Sequence, residues 1–320
     1  MLENDPLRRV ALPRALTHSR LFRHSNARRL FKARHLELEQ LDIRTHIVSV
    51  SSEENMTPVT VYALRMRRRA TRTTNETAQP ERLWKLERRY SEFHTFRRRL
   101  LELVKHWEDN AGNHEKETKE FMAMSNALRR PFTNDFPRRH LRVDTMKIIE
   151  ERRVGLEEFV RKLLCAYVDV SVYLQECASL IAYESYNNMT KVCHELEAFL
   201  DVPESQKAME RYLTAVIRSL TDVDDVEGPQ NERANINDGY ECCICMNNDE
   251  ATSVDAIVRL PGEDKLVQLP CSHHFHEDCV IDWFSTSMTC PLCRQQVVDP
   301  ARLNDDPEHL DQVRQASPTV

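Results

Sequence analysis

Residues 271–279 read CSHHFHEDC, and together with CCIC at 242–245 and CPLC at 290–293 they decide how the C-terminal part of the chain folds. The full spacing is Cys242-x2-Cys245-x25-Cys271-x-His273-x2-His276-x2-Cys279-x10-Cys290-x2-Cys293. Thiolates and imidazoles are the donors that structural zinc prefers, four to each ion in a tetrahedron, so eight donors imply two sites. All eight positions are filled by side chains, which leaves none for a reactive water and makes the expected zinc structural. Seven of the ten cysteines lie in this stretch. Cys165, Cys177 and Cys193 are scattered through a region of helical pattern and read as small buried hydrophobes. Paired Cys-x-x-Cys units of this kind point to metal rather than disulfides. Cys243 and His274 are spare residues between donors.

The spacing resembles the RING finger family in its two-histidine subtype over 242–293. The resemblance implies interleaved donor pairs: Cys242, Cys245, His276 and Cys279 on one zinc, and Cys271, His273, Cys290 and Cys293 on the other. It also implies a shallow apolar groove for a ubiquitin-conjugating enzyme, here Ile244, Trp283 and Pro291, with Phe275 packed between the zinc sites. Arg294 matches the family's linchpin position, where a guanidinium bridges the conjugating enzyme and its attached ubiquitin. The implied activity is that of a RING-type E3 ubiquitin ligase. It acts by positioning a charged conjugating enzyme for attack by a substrate lysine, with no ubiquitin carried on the ligase itself.

Working outward, residues 221–239 (TDVDDVEGPQNERANINDG) are acidic and aperiodic and read as a linker before a finger domain at 240–298. Residues 299–320 read as a disordered tail. Upstream, 41–50 and 58–67 alternate in the manner of strands, and 82–90 makes a third, with an exposed loop at 71–80. Ser91 is positioned to cap a helix carrying Phe93, Phe96, Leu100, Leu103, Val104 and Trp107 at helical spacing. The polar stretch EDNAGNHEKETKE at 108–120 reads as a mobile insertion, and Pro131 and Pro137 bracket an extended segment. A long helix is expected over 145–167, with further helices over 170–186 and 189–220.

The order of three strands, helix, proline-bracketed loop and helices, with RRYSEF at 88–93 and IIEERRVGLEEFVRKLL at 148–164, resembles a PX (phox-homology) domain over 36–187. The expected fold class is therefore α+β: a three-stranded antiparallel sheet with a helical subdomain, a helical extension at 188–220, and a small cross-braced two-zinc finger. The resemblance implies binding of a phosphoinositide, most often phosphatidylinositol 3-phosphate. Arg89 would hold a phosphate, Tyr90 would pack on the inositol ring, Arg139 with its neighbour Arg138 would supply a second cation, and Arg152 would reach inositol hydroxyls. Bidentate arginine donors beside an aromatic face suit that chemistry, while Arg88 and Arg153 are expected to point elsewhere.

Charge and composition set the surroundings. Residues 1–35 carry nine Arg/Lys against two Asp/Glu and read as a basic, disordered lead segment attracted to anionic partners. Residues 221–320 carry six against 20. No run of apolar residues reaches the roughly 18 that a membrane-spanning helix needs, so membrane contact is expected to be peripheral. The cationic run Arg65–Arg69 follows a strand and lacks an aromatic RNA motif or a DNA-reading helix, which argues against nucleic acid. Two readings of different class emerge. One is a cytoplasmic ubiquitin ligase, peripheral on endosomal membranes, that modifies a protein substrate. The other is a non-enzymatic, sorting-nexin-like adaptor whose finger mediates protein contacts.

Overall fold

The computed structural model describes residues 25–52, 55–68, 83–133, 135–140, 144–177, 181–223, 242–246 and 265–303. The expected loop at 71–80, most of the 221–239 linker, residues 1–24 and the tail beyond 303 lie outside these. The chain divides into two compact units, Met1–Pro203 and Glu204–Val320.

The first unit is built on an antiparallel sheet of β1 (Leu41–Ser52), β2 (Asn55–Arg68) and β3 (Leu83–Arg89), with β2 central. Register pairs Ile43 with Met66 and Leu64 with Leu86, so one face carries the apolar side chains of all three strands. Those four residues are buried, as strand alternation requires. The chain then enters α2 (Tyr90–Asn110), which lays Phe93, Phe96, Leu100, Val104 and Trp107 on that core. An earlier helix, α1 (Ser25–Glu39), precedes the sheet. The cap differs from the expected Ser91. The backbone N–H of Arg89 donates to the Glu92 carboxylate at 2.6 Å, so the helix starts two residues sooner.

Three further expectations are corrected. The polar stretch 108–120 is helical rather than a loose insertion: it forms the end of α2, the short α3 (Asn113–Lys116) and the start of α4 (Lys119–Arg129). Thr118 caps α4, and the buried Phe121, Met124 and Leu128 give that helix an apolar face. A 3-10 turn at Arg130–Phe132 follows where an extended segment was expected. The helices expected separately over 145–167 and 170–186 are one helix, α5 (Met146–Glu176), because no breaker interrupts its apolar stripe.

The lead segment also differs from expectation over 25–35. α1 buries Ala27, Leu30, Phe31 and Ala33, and with them Arg29, Arg34 and His35. Its basic composition hides this face, and α5 supplies the polar partner. His35 Nε2 lies 2.6 Å from Asp169 Oδ1, with both side chains buried and Arg130 3.5 Å from the other carboxylate oxygen.

The stretch expected to be helical over 189–220 is two helices that belong to different units. α6 (Tyr183–Leu200) closes the first unit. Phe199 stacks on Phe96 with centroids 3.7 Å apart. Trp84 Nε1 donates to the Leu200 carbonyl at 2.8 Å and Arg88 to that of Phe199 at 3.2 Å, satisfying carbonyls at the end of the helix. α7 (Glu204–Arg218) belongs to the second unit, burying Leu213, Val216 and Ile217. That unit's sheet is β4 (Thr221–Asp222), β5 (Leu266–Gln268) and β6 (His274–His276), followed by α8 (Glu277–Phe284). Val267, Phe275, Val280, Ile281 and Phe284 form its small core. Residues Pro300–Leu303 form an ordered 3-10 turn where the disordered tail was expected to begin.

Candidate functional site: a cross-braced metal centre and an arginine–tyrosine pocket

The finger's donors gather into two clusters of four, Cys242, Cys245, His276 and Cys279, and Cys271, His273, Cys290 and Cys293, each with its donor atoms within 4.8 Å of one another. The first and third pairs share one cluster and the second and fourth share the other, so the finger is cross-braced. Zinc bonds of about 2.3 Å to sulfur and about 2.0 Å to nitrogen at tetrahedral angles put sulfur and nitrogen roughly 3.6 Å apart. The structure has Cys245 Sγ and Cys279 Sγ at 3.4 and 3.9 Å from His276 Nδ1. Cys271 Sγ and Cys290 Sγ lie at 3.3 and 3.6 Å from His273 Nδ1. Both sets fit a zinc ion, with Nδ1 as the nearer imidazole atom in each. Cys243 and His274 join neither cluster.

Two matching turns build these clusters. After Cys242-x-x-Cys245, Met246 takes φ 55° and its N–H donates to the Cys242 carbonyl at 2.7 Å. After Cys290-x-x-Cys293, Arg294 takes φ 59° and its N–H donates to the Cys290 carbonyl at 2.9 Å. Left-handed backbone costs a non-glycine residue about 1 kcal/mol, and here it turns each chain so that both cysteines face inward. Ile244 and Pro291, in the corresponding turns, are half-buried. Trp283 is half-buried on α8, its indole N–H held by the Thr289 carbonyl at 2.8 Å. Arg294 is exposed, and among the described residues its guanidinium has no hydrogen-bond or ion-pair partner. Met246 and Leu292, which sequence reasoning did not single out, are 76% and 51% exposed beside these residues in the chain. Their apolar character next to a knuckle was the available signal.

In the first unit, Tyr90 and Arg152 are brought together from β3's end and α5. The Arg152 guanidinium carbon lies 3.8 Å from the Tyr90 ring centroid, and Tyr90 Oη donates to the Pro137 carbonyl at 2.8 Å. Arg152 is only 4% exposed and reaches Asp144 Oδ2 at 2.6 Å. Its buried Nε has no hydrogen-bond partner among the described residues, and neither has that of Arg97. Buried donors left unpaired are uncommon. Burial raises the Tyr90 phenol above its ordinary pKa, and the charges of Arg152, Arg139 and Arg97 pull it part way back. Burial likewise raises Tyr62, beside the same Arg152.

Arg89, Arg138 and Arg139 are exposed and have no ion-pair partner among the described residues. Arg88 is spent on Asp201 at 2.8 Å and Arg153 on Glu150 at 2.7 Å. Sequence reasoning missed Asp144, Arg97 and Gly155. Asp144 and Arg97 carry no local signal. Gly155 does: a Cβ there would sit 2.5 Å from Pro137 Cγ, so only glycine lets the Pro137 segment lie against α5. Phe136 is half-buried and packs edge-on to Phe159, with centroids 4.9 Å apart.

The fold and the two sites define the class: the chain carries a PX domain and a two-histidine RING finger. Family comparison matches residues 76–180 to the PX domain and residues 240–294 to the Ring finger domain. Strands β1 and β2 precede the PX match and complete its sheet. Among curated proteins the chain is similar to the E3 ubiquitin-protein ligase Iruka of Drosophila melanogaster, 30% identical over 26% of this chain and 19% of that protein. It is similar also to the RING-H2 finger proteins ATL66 and ATL60 of Arabidopsis thaliana. ATL66 is 38% identical over 21% of this chain and 37% of its own length; ATL60 is 41% identical over 19% and 16%. The chain thus spans well under half the length of these relatives. No solved structure matches it. Among the described residues no helix is long and apolar enough to cross a membrane.

Proposed function

We propose that this protein is a RING-type E3 ubiquitin ligase that its PX domain brings to phosphoinositide-bearing membranes, endosomal ones in particular. The observation that carries the reading is the exposed Arg294, held at φ 59° directly after the last zinc donor and free of any partner among the described residues. A guanidinium so placed is available to bridge a conjugating enzyme and the ubiquitin it carries. Ile244, Trp283 and Pro291, half-buried around the two knuckles, are the apolar surface on which the conjugating enzyme would dock. Zinc, when bound, supplies the staples that fold so small a domain. The chain's own residues then catalyse by orientation: docking fixes the enzyme, Arg294 limits the swing of the thioester, and a substrate lysine attacks.

The PX domain supports the second half of the reading. Arg89 and Arg139 offer exposed cations, unpaired among the described residues, and Arg152 offers a buried donor beside Tyr90. That set suits a phosphate and the hydroxyls of an inositol ring, phosphatidylinositol 3-phosphate being the expected lipid. Tethering by lipid and by substrate together raises effective concentration at the membrane. The test is ubiquitination in vitro by the purified chain, with and without liposomes containing phosphatidylinositol 3-phosphate. Polyubiquitin that rises on those liposomes, but not with Arg89→Ala, supports the proposal. A zinc-loaded chain that builds no ubiquitin with any of a panel of conjugating enzymes sinks it in favour of an adaptor.

A further inference from the structure

Arg294 sits at the closed end of a hairpin. Its N–H and that of Cys290 are held by the Cys290 and Gln295 carbonyls, at 2.9 and 2.8 Å. Thr289 bridges to Gln296, and the Val297 N–H reaches the Met288 carbonyl at a longer 3.3 Å. One limb is fixed by the Trp283 indole on the Thr289 carbonyl. The other limb leaves the zinc cluster at Cys293 and runs to Val298, past the end of the matched finger at 294. There it meets α7: Tyr212 Oη donates to the Val298 carbonyl at 3.0 Å, and the 3-10 turn at Pro300–Leu303 packs against the same helix. Elsewhere on the finger β4 pairs with β5, and Lys265 reaches Asp222 at 2.7 Å. Residues 204–222 therefore grip the finger at two points, although they lie outside its sequence pattern.

We infer that Tyr212 is a positioning residue for ubiquitin transfer: by holding the Val298 carbonyl it fixes the limb from which Arg294 projects. This rests on the ligase reading above. A short two-stranded hairpin is marginal by itself. The Arg294 side chain has no partner of its own among the described residues, so the backbone alone fixes where it leaves the chain and the direction of its Cα–Cβ bond. Burial, followed by the charge of Asp299, raises the Tyr212 phenol above its ordinary pKa, which keeps it a donor at physiological pH.

The test uses the full chain and its Tyr212→Phe variant, which keeps the ring and removes only the donor. Discharge of a ubiquitin-charged conjugating enzyme onto free lysine is followed across enzyme concentrations, alongside amide hydrogen exchange at Arg294–Val297. One net hydrogen bond corresponds to a change of about fivefold. The variant is expected to lose about fivefold in kcat with KM and zinc content unchanged, and to exchange those amides about fivefold faster. Unchanged discharge and exchange in an active background would overturn the inference. So would a loss that appears equally in KM or in zinc content, which would make Tyr212 a general prop of the finger. A wild-type chain that discharges nothing fails at the ligase reading itself, a result distinct from both.

Discussion

Arg152 lies over Tyr90, its guanidinium carbon 3.8 Å from the ring centroid, while Asp144 holds the same group at 2.6 Å. The two residues that the PX resemblance assigns separately to an inositol ring and its hydroxyls are thus one stacked unit, with Asp144 as its third member. A cation over a desolvated aromatic contributes about 2 kcal/mol, and a planar guanidinium does this as an ammonium does not. Arg152→Lys should therefore weaken binding to phosphatidylinositol 3-phosphate liposomes at least tenfold and lower the Tm of the first unit. Arg138→Ala should cost less than threefold in the same flotation assay. Equal losses in both variants would mean a diffuse basic surface rather than a pocket.

Gly155 makes that pocket's wall. A Cβ would approach Pro137 Cγ to 2.5 Å, so Gly155→Ala must push the Pro137 segment, and with it Arg139 and the acceptor of the Tyr90 hydroxyl, away from α5. Overpacking of this kind costs about 1–3 kcal/mol. Thermal unfolding should report that loss, and lipid affinity should fall with it. An unchanged Tm would show that the segment gives way freely.

Arg294 separates function from stability. At φ 59° an arginine is strained and a glycine is not. Arg294→Gly should hold or raise finger stability by up to about 1 kcal/mol, while discharge of charged conjugating enzyme falls about tenfold or more. Zinc content by atomic absorption should stay at two per chain. Loss of zinc in the variant would instead make Arg294 a fold residue.

Burial raises the thiol pKa of Cys165 to about 12 and that of Cys177 likewise to about 12, each reinforced by nearby acidic groups. Thiolate is the reactive form, so native alkylation at pH 8 should leave both untouched. Chelation should release the finger cysteines to alkylation first, because metal binding and finger folding are coupled. Peptide mass mapping before and after chelation checks the order. Cys165 is half-buried and Cys177 buried, so early labelling of Cys165 would show that its surroundings do not shield the thiol.

Burial alone would raise Glu108, but hydrogen bonds from Arg129 and Ser125 outweigh it and leave the carboxyl below its ordinary pKa. A depressed folded pKa stabilises the protein above the unfolded value, near 4.5, and that contribution is lost as pH falls through the lower folded value. Arg129 is half exposed, so solvent screening limits the effect to about 1 kcal/mol. Glu108→Gln should be less stable than wild type at pH 7, and the gap in urea denaturation should close in acid. A gap independent of pH would point to packing.

The sequence by itself determined the metal centre. Its donors are separated by two residues or fewer within each pair, so local turns bring each pair together, and the chemistry of sulfur and imidazole selects the ion. Strand alternation likewise gave the sheet, and the stripe of Phe93, Phe96, Leu100, Val104 and Trp107 gave α2. Only the tertiary structure decided which partners lie far apart in the chain. Asp144 and Arg152 meet Tyr90 across more than fifty residues, and buried Asp169 gives the basic α1 a partner 134 residues away. The helical stretch after 188 divides between units because Phe199 finds Phe96 while Tyr212 finds Val298. Periodicity shows that a helix has an apolar face. What covers that face depends on how the rest of the chain packs, and no local pattern encodes it.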